Sequence, residues 1–172
     1  MMTKTVMAGA LAVLLASFGA TAADQGHGVV NFKGTVIDAP CGIAPESADQ
    51  SIDFGQISKS HLAAGGISVQ KNIDVKLVNC DVAGLTKGVQ LTFSGNTVNG
   101  TATELATAGT TNTAIVINGY GSDVTFGTAT DHVKLVEGDN TLRFLSWAKQ
   151  ATGKAVAEGD FTAIANFNLA YE

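Results

Sequence analysis

The chain has 172 residues, with ten Lys and Arg against fifteen Asp and Glu and a formal net charge of −5. Its basic residues form no cluster and its single arginine is Arg143, so the electrostatic footprint of a nucleic-acid binder is missing. Only 15% of residues are charged while glycine numbers 20, a balance that suits a sheet protein with many turns.

The first element is a leader. Lys4 precedes a nearly charge-free apolar run from Val6 to Phe18, and the small residues Gly19-Ala-Thr-Ala-Ala23 follow. A basic start, an apolar middle and an A-x-A-type site read as a secretory signal peptide over residues 1–23, cut after Ala22 or Ala23. An uncleaved membrane anchor is the other reading, but the run is too short to span a bilayer comfortably. Cleavage leaves about 150 residues, enough for one domain with its own core. In an exported chain the even pair Cys41 and Cys80 reads as one disulfide. The loop it closes, about forty residues, makes it worth roughly 4 kcal/mol in the chain-entropy account.

Short strands are expected to recur along the rest of the chain. Val29–Lys33 and Thr35–Ile37 come first, then Ser51–Gly55 with Ile52 and Phe54 alternating. Ser58–Ala64 suits one short helical turn. Ile73–Val78 and Val89–Phe93 alternate cleanly, and Ala114–Ile117 and Asn140–Leu145 follow. Gly65-Gly66, Asn99-Gly100, Asn118-Gly119 and Gly138-Asp-Asn140 supply the turns between them. Thr97–Asn112 is rich in Thr, Ala and Gly without a strong period and reads as a surface connection. Strands this short with turns this frequent predict an all-β sandwich.

The last element is the most regular. Gly159, Phe161, Ala163, Ala165, Phe167, Leu169 and Tyr171 share one face of a strand read at period 2. With no later strand to flank it, that edge is expected to need covering by another chain.

Catalytic and metal chemistry find no support in the pattern. His27, His61 and His132 share no ligand spacing, and neither cysteine has a neighbour at metal-ligand spacing. Asp38, Asp53, Asp74 and Asp81 suit solvated strand ends better than an acid/base pair. No nucleophile elbow, zinc-protease or phosphate-loop motif occurs, and no cofactor is implied. Trp147 and Tyr120 could seed a sugar-stacking site, which leaves a self-contained glycan-binding adhesin as the alternative function.

Downstream of the leader, Gly26, Gly28, Val30 and Phe32 share a face at period 2. Two readings stay open from these residues alone. The segment is the first strand of its own domain, or it adds itself to a sheet edge in another molecule.

Several segments together identify the chain as similar to the major rod subunits of chaperone–usher pili, the P-pilus and type 1 fimbrial family. They are Val29-Val-Asn-Phe-Lys-Gly-Thr-Val-Ile-Asp-Ala-Pro-Cys41, Ser47-Ala-Asp-Gln-Ser-Ile-Asp-Phe-Gly-Gln-Ile-Ser-Lys-Ser60 and Val75-Lys-Leu-Val-Asn-Cys-Asp81. Gly159, fourteenth from the end, and Ala165-Asn-Phe-Asn-Leu-Ala-Tyr171 complete the set. The resemblance implies an incomplete immunoglobulin-like sandwich, residues 34–172, that lacks its last strand and is completed by donor-strand exchange. It implies that residues 24–33 are the donor extension, and that the C-terminal strand edges the groove. Its expected partners are copies of itself, other pilus subunits, a periplasmic chaperone that also binds at Glu172, and an outer-membrane usher. Stable membrane insertion is not expected, and the destination is an extracellular fimbria on a Gram-negative cell. His27 between two glycines departs from the family pattern and leaves the donor register open. The chain is too short for a two-domain tip adhesin.

Overall fold

The computed structural model describes residues 27–172. The signal peptide read over residues 1–23 and the start of the expected donor extension, including Gly26, lie outside the described residues. The chain divides into two units, Met1–Val36 and Ile37–Glu172. In the first, residues 27–36 form no helix or strand and are exposed, with Val30 at 74% and Phe32 at 91% of full accessibility. The strands expected at Val29–Lys33 and Thr35–Ile37 are therefore not formed. Alternation can prepare a segment for a ladder, but a strand exists only where a second backbone accepts its hydrogen bonds.

The second unit holds eleven strands and two short helices. In chain order they are β1 (Gly42–Ile43), α1 (Pro45–Ala48), α2 (Lys59–Ala63), β2 (Lys71–Cys80), β3 (Val89–Ser94), β4 (Thr97–Val98) and β5 (Thr101–Ala106). Then follow β6 (Ala108–Gly109), β7 (Thr113–Gly119), β8 (Ser122–Asp123), β9 (Gly138–Gln150), β10 (Phe161–Thr162) and β11 (Asn166–Tyr171). The first sheet runs β1-β2-β9-β7-β5-β4, with β8 on β7. The second pairs β11 with β3 and is widened by bridges Val89–Val133 and Thr92–Ala129. Every named pairing is antiparallel.

Period-2 patterning puts the core between the two sheets. Val75 and Leu77 on β2 and Leu142 and Phe144 on β9 face inward from one sheet, and Val89, Leu91 and Phe93 on β3 from the other. Phe93 meets Phe144 edge-on across the gap, with ring centroids 5.0 Å apart, in the geometry aromatic quadrupoles favour. Cys41 and Cys80 are disulfide-bonded and buried, tying the segment before β1 to the end of β2.

Two stretches differ from the sequence reading. Ser51–Gly55 keeps its alternation, with Ile52 and Phe54 half-buried, but belongs to no ladder. Thr97–Asn112 is not a surface connection, because β4, β5 and β6 lie within it. The period is hidden because the adjacent Glu104 and Leu105 are both buried, on opposite faces. Leu105 enters the main core. The Glu104 carboxylate accepts hydrogen bonds from Lys149 Nζ (2.6 Å), Thr152 Oγ1 (2.7 Å) and Thr152 N (2.9 Å).

Burial alone would push the Glu104 carboxyl up, but the bonds from Lys149 and Thr152 outweigh it and hold it below the ordinary carboxylate range. A lowered folded pKa contributes stability that is full above the unfolded value, about 4.3, and is lost as pH falls through the folded one. Glu104→Ala should cost about 2–3 kcal/mol at neutral pH in urea unfolding, discounted for the partly exposed Lys149. The gap between variant and wild type should narrow as the pH falls below the carboxylate range; a gap of constant size would deny the carboxylate its role.

Candidate strand-docking groove

Two stretches of the second unit carry extended backbone without full pairing. Residues 51–57 donate or accept no hydrogen bond with the backbone of another described residue. In β11, each residue from Asn166 to Tyr171 has a partner between Ser94 and Val89 on β3. No strand among the described residues pairs with its other edge. Ile52 and Phe54 alternate on the first, where Phe54 and Ile57 are half-buried against the core, and Phe167, Leu169 and Tyr171 alternate on the second, half-buried likewise.

The first stretch lines a cavity of about 560 Å³ whose other wall is the segment ahead of β11. Residues 52–57 with Lys59 and Leu62 form one wall, residues 156–161 the other, and Thr111 and Thr113 also line the space. The rings of Phe54 and Phe161 lie 6.4 Å apart.

Side-chain bonds and one main-chain bond help hold these walls. Upstream of the first wall, Ser47 Oγ and Gln50 Nε2 donate to the Asp74 carbonyl at 3.0 and 3.1 Å. Ser47 Oγ also accepts from Lys76 N at 2.9 Å. At the second wall, Asn112 Nδ2 donates to Ala155 O at 2.9 Å, and Ala157 N donates to Thr111 O at the same distance.

Of the residues read as the groove edge, Gly159 and Phe161 line this cavity. Phe167, Leu169 and Tyr171 follow on the core-facing side of β11, and Phe167 sits 6.2 Å from the Phe93 ring. Ala163 and Ala165 are exposed in the break between β10 and β11. The run expected as one strand is two, because it changes partner there: β10 pairs with β6 and β11 with β3. Gly95 makes room at that switch, since a Cβ on it would lie 2.9 Å from Ile164 O. The facing wall of Ile52, Phe54, Ile57 and Leu62 escaped the sequence reading. Its one visible signal was the Ile52/Phe54 alternation, which gives no hint of what it faces.

Beyond β11, Glu172 O accepts hydrogen bonds from the amides of Thr86, Lys87 and Gly88 at 2.8–3.0 Å. Its side chain meets Lys87 Nζ at 2.7 Å and His132 Nε2 at 3.5 Å. The Lys87 hydrogen bond holds the Glu172 carboxyl below its ordinary value.

Tyr120 and Trp147 are not brought into one cavity. A shallow recess of about 150 Å³ includes Tyr120 but not Trp147. Tyr120 packs edge-on against Phe144 at 5.6 Å. Among the described residues no group of three His, Cys, Asp or Glu side chains could hold a metal ion, and no helix is long and apolar enough to cross a membrane.

A sandwich whose last strand has one edge unpaired among the described residues, and whose run 51–57 lies unpaired along a cavity, defines a structural subunit with an incomplete sheet. Residues 30–172 match the fimbrial protein family, and the chain belongs to it. It is 50% identical to the Pap fimbrial major pilin protein of Escherichia coli, an alignment covering 99% of this chain and all of the relative. It superposes on a subunit from a solved chaperone–usher pilus rod with a TM-score of 0.82 at 51% identity, over 86% of this chain and 97% of that one. The crystal structure of the P pilus rod subunit PapA matches with a TM-score of 0.74 at 49% identity, over 78% of this chain and all of that one. The fold is thus the immunoglobulin-like pilin sandwich, and the protein is a structural fimbrial subunit, not an enzyme.

Gly159 sits at φ 140°, a conformation that side chains rarely adopt, and a Cβ there would lie 2.9 Å from Thr110 Oγ1. Gly159→Ala should therefore cost about 1–3 kcal/mol in denaturant unfolding. An unchanged midpoint would show that the wall relaxes freely at this residue.

Proposed function

We propose that this chain is a rod-forming major pilin that polymerises head to tail by donor-strand exchange. Residues 24–33 of one copy, with Gly26, Gly28, Val30 and Phe32 on one face, enter the groove of the copy that precedes it in the filament. The acceptor offers Gly159, Phe161, Ala163, Ala165, Phe167, Leu169 and Tyr171 along one edge. A periplasmic chaperone fills the groove first, and the subunit's successor replaces it at an outer-membrane usher. The product is an extracellular fimbria that supports attachment to host surfaces.

One observation carries the reading: residues 51–57, unpaired by any other backbone among the described residues, hold Ile52, Phe54 and Ile57 half-buried along a cavity of about 560 Å³ opposite Phe161, and the outer edge of β11 further along has no strand partner among the described residues. Apolar area left facing water forgoes about 25 cal/mol per Å². An added strand would supply apolar side chains and ladder hydrogen bonds together. A head-to-tail contact that does not close on itself makes an open filament.

Deleting residues 24–32 should leave a subunit that accepts a strand but cannot donate one, so polymers of normal length would contradict the proposal. Phe167→Asp places a charge on the half-buried face of β11 and should prevent capture by the chaperone, seen as loss of the subunit from the periplasm. The decisive assay is gel mobility of surface-shed protein in SDS with and without boiling. A ladder that collapses on boiling to one band near the mature mass is expected, and a single monomer band in both lanes would refute strand exchange.

A further inference from the structure

The cavity is not simply open. Lys59 lines it from one wall and Glu158 from the other, and their Nζ and Oε1 atoms meet at 3.3 Å. Both side chains are exposed, at 52% and 84%, so the pair lies at the rim rather than on the floor. It joins elements 99 positions apart in the chain. Neither group makes another ion pair among the described residues. Lys59 stands on the first turn of α2, whereas Glu158 stands on an irregular run between Gly153 (φ 73°) and Gly159 (φ 140°). Glycines at such angles are the residues about which a backbone most easily pivots.

We propose that Lys59 and Glu158 form an ionic latch across the rim of the groove, and that an incoming strand must open it to fill the cavity. This rests on the reading of the cavity as the docking groove. The rim also carries Asp53 and Asp160, both lining the same space. Of the charged groups lining the cavity Lys59 is the only cation, so it is the one group there that can draw the acidic second wall, with Glu158 and Asp160, toward the first. An exposed pair is weak and screened by salt. The latch therefore sets the rate of strand entry by a small factor and does not seal the groove.

The test uses the full mature chain, held dilute, with a labelled synthetic peptide of residues 24–34 as the probe. At about 0.01 M salt, where the Debye length is near 30 Å, Lys59→Ala and Glu158→Ala should each take up the peptide about two- to fivefold faster than wild type. The two substitutions shift the rim charge in opposite directions. Electrostatic steering of the peptide alone would speed one and slow the other, whereas a latch predicts that both accelerate. The swapped protein, Lys59→Glu with Glu158→Lys, should return to the wild-type rate. At about 1 M salt, with a Debye length near 3 Å, wild type should match the two alanine variants. Equal rates for all four proteins at low salt, or opposite shifts in the two single variants, would overturn the latch. Phe161→Asp separates this from the groove itself. Normal uptake by that variant, or no uptake by any form, would overturn the groove assignment and the latch with it.

Discussion

Hydrogen-bond accounting along an unfinished sheet edge governs this structure. A strand in the middle of a sheet is satisfied on both sides, but β11 is satisfied only by β3, and residues 51–57 are satisfied by no other backbone in the described chain. The side chains on those stretches are nonetheless apolar and alternate as if a neighbour were present. Phe54, Phe161, Phe167, Leu169 and Tyr171 are accordingly only half-buried against the core, and Phe54 and Phe161 also line the cavity. Such an edge would be an aggregation hazard in a free monomer unless it is covered.

A groove of this kind must keep its shape while empty, and the ladder that would normally hold it is the part left out. The load passes to groups outside the ladder. Ser47 and Gln50 fix the run before the first wall to the Asp74 carbonyl on β2, whose end is bonded through Cys80 to Cys41. Asn112 and the Thr111 carbonyl hold the second wall at Ala155 and Ala157, and Glu104 anchors Thr152 just before it. Each wall is thus fastened to the complete first sheet and not to the other wall. The exception is the Lys59–Glu158 pair, exposed and therefore the easiest of these contacts to break.

How much of this could be read from the residues follows from which forces leave a local trace. β2, β3 and β9 were legible because one face is buried and the other wet, which writes period 2 into the chain. β7 was found as an apolar run, five consecutive positions buried, since it lies inside the first sheet. β5 was invisible because Glu104 is buried by pairing and not by apolarity, and no local pattern announces a partner 45 residues away. The extended segment Ser51–Gly55 was legible as alternation and misread as a strand, because alternation reports a half-buried face and says nothing about whether a ladder exists. The resemblance to pilus subunits gave the family. It did not give the facing wall, which only three-dimensional closure brings beside Phe161.

The same distinction explains where chemistry is missing. A site that performs reactions needs polar groups held without their ordinary partners, poised for a substrate. Here buried polar groups are met by their own neighbours: Glu104 on β5 by Lys149 and Thr152, and the Ser68 hydroxyl, ahead of β2, by the Ala148 amide on β9. Beside single side-chain atoms such as Asp74 Oδ1 and Tyr171 Oη, what the fold leaves unsatisfied among the described residues is main chain and apolar surface along one edge. Unpaired main chain beside a prepared apolar wall selects a segment of extended polypeptide over a small molecule, because only a strand answers both deficits at the spacing of a sheet. The property that makes the isolated domain incomplete therefore also dictates the class of its ligand.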